Sequence, residues 1–81
     1  MEFPAISQAK ILIIDDDQDI LNSLKAGLHI EQVELEIDTA TTALEGVTKA
    51  QSFKPDIVIL DLQLPDARGF DILDDLRSPE L

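Results

Sequence analysis

The chain has 81 residues, with six Lys or Arg against seventeen Asp or Glu and a formal net charge of −11. This length holds one small domain, burying a little over ~60% of its unfolded surface, and 44% apolar content argues against disorder. The acidic balance disfavours direct binding to nucleic acid or to anionic membranes, and the absence of Cys excludes disulfides, thiolate metal sites and cysteine nucleophiles.

Residues 1–9 read as a short polar lead-in containing Pro4. Neither a membrane-length apolar run nor a basic-then-apolar leader is present, so the expectation is a soluble, cytoplasmic chain. Lys10-Ile11-Leu12-Ile13-Ile14 is a continuous apolar run ending in Asp15, Asp16 and Asp17, the pattern of a central parallel strand. Asp17 or Asp16 can cap the helix that follows, and Asp19 in its first turn suits the helix dipole. Ile20, Leu21, Leu24 and Leu28 recur at helical spacing, predicting one face packed on the sheet, with Gly27 near the end. His29 beyond it reads as a surface residue without chemistry.

Val33-Glu34-Leu35-Glu36-Ile37-Asp38 alternates apolar with acidic, as expected of an edge strand with one wet face. Thr42-Ala43-Leu44-Glu45 fits a capping box. Leu44, Val47 and Ala50 or Gln51 continue that helix to about Phe53, with Gly46 weakening its interior. Between Pro55 and Pro65, the run 56–60 leads into Asp61 and reads as a strand buried on both faces. Gly69 opens a last helix with Phe70, Leu73 and Leu76 inward, stopped at Ser78-Pro79.

Three strand–helix units in succession predict an α/β fold, a doubly wound parallel sheet built with right-handed crossovers. The alternating strand lies at one edge, residues 10–14 in the middle and residues 56–60 beyond, giving strand order 2-1-3. Open sheets of this kind place ligands at the carboxyl ends of their strands, where Asp15, Asp16 and Asp61 converge. Three such carboxylates need positive charge between them. Mg²⁺ suits an all-oxygen site and keeps waters free for a phosphate, and a carboxylate beside it can attack phosphorus. The plainer reading of residues 15–17 alone is helix capping and solvated surface.

Ile11-Leu12-Ile13-Ile14-Asp15-Asp16-Asp17 and Asp56-Ile57-Val58-Ile59-Leu60-Asp61-Leu62-Gln63-Leu64-Pro65 resemble the receiver domain of two-component response regulators. Asp66-Ala67-Arg68-Gly69-Phe70 is similar to that family's following loop, and the likeness runs from about Lys10 to Arg77. The resemblance implies a flavodoxin-like fold and a phosphorelay role, not that of an enzyme with ordinary turnover. Asp61 would be the phosphoacceptor, receiving a phosphoryl group from a sensor histidine kinase or phosphotransfer protein. Asp15 and Asp16 would hold Mg²⁺, Asp16 more directly, together with Asp61 and the backbone carbonyl of Gln63. Pro65 would shape the adjoining loop, and Asp17 matches a commonly acidic position that is not usually a ligand.

The sequence departs from the family pattern at Ala43, where Gly is usual, and at Gly46, where Ala is usual. Arg68 stands where acids are frequent and could lean on the phosphate or only on neighbouring acids. The family's later strands, ending in Thr or Ser and then in Lys, have no counterpart before Leu81, so residues 10–81 read as a partial receiver domain. Lys10 and Lys54 sit at the wrong strand ends to replace that Lys. The 56–60 strand would then form a bare edge, which predicts a homo-oligomer formed through it. Two alternatives are an interaction or dimerisation module without phosphotransfer and a haloacid-dehalogenase-type phosphatase, which leaves residues 61–65 unexplained. An EF-hand reading of Asp15, Asp17 and Asp19 fails at Ile20 and Ala26.

Overall fold

The computed structural model describes residues 8–77. In chain order the elements are β1 (Gln8–Ile14), α1 (Gln18–Gly27), β2 (Glu34–Ala40), α2 (Ala43–Phe53), β3 (Ile57–Leu60) and α3 (Gly69–Arg77). The strands pair in the order β2-β1-β3, both pairs parallel, as the patterning predicts. β1 begins two residues before Lys10, because Gln8 and Ala9 pair with Glu34 and Leu35 and so belong to the sheet instead of the lead-in. β2 likewise runs on to Ala40. The rest of the lead-in, the Ser78-Pro79 stop and the Phe70 side chain lie outside the described residues.

Continuous apolarity makes β1 the centre of the molecule: Ile11, Leu12, Ile13 and Ile14 are 0–2% exposed. Alternate side chains point to opposite faces. Ile11 and Ile13 meet Leu21, Leu24 and Leu28 of α1, with Leu35 and Ile37 of β2 alongside. Leu12 and Ile14 meet Ala40 and Ala50, joined by Phe53, Val58, Leu60 and Leu76. Thus α1 covers one face while α2 and α3 cover the other. Each of these isoleucines contributes about 1.5–3 kcal/mol by leaving water.

The helix faces differ from the expected ones in three places. Leu44 is 74% exposed, and the face α2 turns inward is made of Ala43, Gly46 and Ala50. Ile20 and Leu73 are also exposed, leaving Leu21 in α1 and Ile72 in α3 as the buried anchors. The cause in α2 is close approach to the sheet. A Cβ on Gly46 would lie 2.5 Å from Ile14 Cδ1, 3.0 Å from its Cγ1 and 3.2 Å from its Cγ2. Gly46 therefore lets the helix seat against β1, a role that its low helix propensity conceals.

β3 is not buried on both faces. Ile57 and Ile59 pair in register with Ile11 and Ile13, so they share the α1 side of the sheet. The α1 cluster reaches β1 and β2 only, and Ile57 and Ile59 remain 46% and 38% exposed.

Local chemistry fixes the helix starts. Asp17 Oδ1 accepts from the Asp19 and Ile20 N–H groups at 2.9 and 3.3 Å. Thr42 Oγ1 accepts from Glu45 N–H at 3.1 Å, while Glu45 Oε1 reaches back to Thr41 N–H, one residue before the cap. Lys49 braces α2 on β2, donating to Thr39 O at 2.6 Å and to Asp38 Oδ1 at 3.1 Å.

Candidate functional site

The register of the sheet brings the acids together. Ile14 and Leu60 are Cα partners in the parallel β1–β3 pair, so Asp15 and Asp61 are the next residues on adjacent strands. Their main chains stay tied to the sheet after the strands end. Asp15 N–H donates to Ala40 O at 3.0 Å, and Asp61 N–H to Ile14 O at 2.8 Å. Asp15, Asp16 and Asp61 each offer a carboxylate oxygen within 4.8 Å of the others. Asp15 and Asp61 are half-buried and Asp16 is exposed.

Two of these carboxylates are oriented by their own turns. Asp15 Oδ1 accepts from Asp17 N–H at 2.9 Å, and Asp61 Oδ1 accepts from Gln63 N–H at 3.1 Å. Asp17 is spent on capping α1 and does not join the group.

A hard cation fits this donor set. Mg²⁺ holds oxygens at ~2.0–2.1 Å, so opposite ligands sit ~4.2 Å apart. Three carboxylate oxygens within 4.8 Å bracket a sphere of that size, and three like charges this close favour a cation between them.

The loop after Asp61 is closed on itself. Gln63 and Arg68 form an isolated antiparallel bridge, and Leu64 N–H donates to Ala67 O at 3.0 Å. At its tip, Asp66 takes two hydrogen bonds from the start of α2. Ala43 N–H donates to Oδ1 at 2.7 Å and Leu44 N–H to Oδ2 at 3.0 Å. The two N–H groups hold the Asp66 carboxyl below its ordinary value of 3.8, with burial opposing them weakly. Sequence reasoning gave Asp66 no role, because its partners are main-chain groups 22 and 23 residues away that carry no side-chain signal.

The basic residues lie as follows. Lys10 is at the opposite end of the sheet, its Nζ donating to Phe53 O at 3.3 Å and standing 5.3 Å from the Phe53 ring centroid. Lys54, with Lys10 and Asp56, lines a cavity of about 570 Å³ at that same far end. Arg68 is exposed on the loop, and the ion pairs found among the described residues join Lys49 to Asp38 and Glu45.

Comparison with known proteins adds family context. The model of the response regulator receiver domain family matches residues 11–80. The chain is 40% identical over 68 residues to the transcriptional regulatory protein KdpE of Mycobacterium tuberculosis. It is 35% identical over 72 residues to the alkaline phosphatase synthesis transcriptional regulatory protein PhoP of Bacillus subtilis. Those matches cover 84% and 89% of this chain but only 29% of each relative. A CheY-like response regulator receiver domain protein from Methanospirillum hungatei superposes with a TM-score of 0.75 at 38% identity. That superposition covers 91% of this chain and 58% of the other.

Proposed function

This chain belongs to the response regulator receiver domain family, and we propose from that premise that it accepts a phosphoryl group on Asp61 within a two-component phosphorelay. The observation that carries the reading is the convergence of Asp15, Asp16 and Asp61 at the carboxyl end of the sheet, with carboxylate oxygens within 4.8 Å. Asp15, Asp16, Asp61 and the Gln63 backbone carbonyl are the groups assigned to hold Mg²⁺. When bound, the ion neutralises charge on the phosphoryl oxygens and keeps water ligands that a phosphate can displace.

The chain's own residues do the rest. The Asp61 carboxylate attacks phosphorus, an O–P bond forming as the P–N bond of the donor phosphohistidine breaks and the leaving imidazole takes up a proton. Main-chain ties to Ile14 and Gln63 hold Asp61 in place for that attack. Because the acids sit at an open strand end, a partner protein's side chain can reach them. The donor is assigned as a sensor histidine kinase or a phosphotransfer protein, and the setting as the cytoplasm. Among the described residues no helix is long and apolar enough to cross a membrane.

Intact mass after incubation with Mg²⁺ and a small-molecule phosphodonor tests the assignment. One phosphate adduct is expected, absent in Asp61→Asn and lost when the ion is chelated. A folded chain that gains no adduct, or an Asp61→Asn variant that still gains one, overturns it.

A second property rests on β3, whose outer edge has no strand partner among the described residues and whose Ile57 and Ile59 are exposed. We assign that edge to pairing with a second copy of the chain. A concentration-independent monomeric mass by light scattering refutes this assignment.

A further inference from the structure

The start of α2 is capped twice, and only one of the caps is local. Thr42 Oγ1 serves the N–H of Glu45, the usual business of an N-cap residue. Asp66 serves the N–H groups of Ala43 and Leu44 from the loop after β3, 23 and 22 residues along the chain. The Leu44 N–H is exposed, but the Ala43 N–H is part-buried on the inward side of the helix, where a protein acceptor serves it better than water. Asp66 caps this helix start and, being 22 and 23 residues away, also ties it to the loop after β3.

What it holds is the other end of the contact. Asp66 lies at the tip of the loop closed by the Gln63–Arg68 bridge and the Leu64–Ala67 hydrogen bond. A loop closed at its base moves as a unit, so fixing the tip fixes Gln63. Gln63 in turn donates to Asp61 Oδ1. The helix that anchors the tip is itself seated on the sheet, with Gly46 against Ile14 and Lys49 on Thr39 and Asp38. A continuous path thus runs from the sheet through α2 and Asp66 to Gln63 and Asp61.

We propose that Asp66 is a positioning residue: by clamping the loop to the first two N–H groups of α2, it sets where Gln63 and Asp61 stand toward Mg²⁺. This rests on the Mg²⁺ reading given above. Residues that orient metal ligands from outside the coordination sphere typically change affinity about 10–100-fold when removed.

The test is the dissociation constant for Mg²⁺ alone, measured by calorimetry or NMR titration on the whole chain, for the parent, Asp66→Ala, Asp66→Asn and Thr42→Ala. Thr42→Ala removes a cap from the same helix end without touching the loop, so it separates capping from positioning. Asp66→Ala is expected to weaken Mg²⁺ binding roughly 10-fold or more, and to speed amide exchange at Leu64. Asp66→Asn, with one acceptor oxygen in place of two, should lose roughly 3-fold. Thr42→Ala should stay within about 2-fold of the parent.

A parent that binds Mg²⁺ while Asp66→Ala binds equally well overturns the positioning role and leaves the Mg²⁺ reading intact. Equal losses in Asp66→Ala and Thr42→Ala also overturn it, reducing Asp66 to a cap. A folded parent that binds no Mg²⁺ overturns both. If Asp66→Ala lacks the parent's far-UV circular dichroism, Asp66→Asn decides by the same comparison.

Discussion

Gly46 offers a sharp test of how α2 is seated. Replacing a helix-interior glycine with alanine ordinarily stabilises by about 1 kcal/mol through helix propensity. Here the new methyl would stand 2.5 Å from Ile14 Cδ1, with Cγ1 and Cγ2 of the same side chain at 3.0 and 3.2 Å. Ile14 is 0% exposed and hemmed in by Leu12, Ala40 and Ala50, so it cannot swing clear. Overpacking of that kind costs about 1–3 kcal/mol, which outweighs the propensity gain. Gly46→Ala should therefore destabilise by about 1 kcal/mol.

Ile14→Val deletes the closest atom, Cδ1, at its own cost of about 0.5–1.5 kcal/mol. In that background Gly46→Ala should be neutral to slightly favourable, a coupling of about 1–1.5 kcal/mol between the two sites. Urea unfolding followed by far-UV circular dichroism measures all four corners of the cycle, the chain having no Trp or Tyr to follow by fluorescence. If Gly46→Ala stabilises the parent by the full propensity increment, and adds to Ile14→Val within about 0.5 kcal/mol, the close-approach argument is wrong.

Two further outcomes follow from the burial and charge of single residues. Leu21→Ala should cost about 2–5 kcal/mol, because Leu21, on the inner face of α1 against Ile11 and Ile13, is 1% exposed. Leu44→Ala should change the same urea midpoint by less than about 0.5 kcal/mol, Leu44 being 74% exposed. The folded Asp66 carboxyl titrates below its ordinary 3.8, so its stabilising effect is complete above that value and is lost as pH falls through the folded value. The stability gap between the parent and Asp66→Asn should then be widest near neutrality and shrink below pH 3.8; a gap that does not change with pH refutes the linkage.

Much of the architecture is legible in patterning. Ile11–Ile14 is apolar at every position and becomes the fully buried centre, whereas Glu34–Ile37 alternates and becomes the edge. β3 carries the same apolar signature as β1 yet stays half-exposed, because such a run reports a capacity for burial and not whether anything covers it. The helix faces were harder to read. In α2 the periodicity picked out Leu44 along with Ala50, and only Ala50 turns inward, beside Ala43 and Gly46, because the gap to the sheet admits only small residues. The meeting of Asp15, Asp16 and Asp61 follows from strand order once β1 is central. The clamp of Asp66 on α2 was invisible, since its donors are backbone groups that every residue carries.

The central place of β1 also bears on how the chain acquires its structure. Gln8 pairs with Glu34, and Ile11 pairs with both Ile37 and Ile57. The strand made first is thus completed last: one side of β1 stays unpaired until residues 57–60 arrive. At ribosomal speeds of ~5–20 residues per second, the stretch from Ala40 to Leu60 takes roughly one to four seconds. During that interval a nascent chain displays its most apolar strand with an open edge, so it is in synthesis that this protein has most to gain from a chaperone.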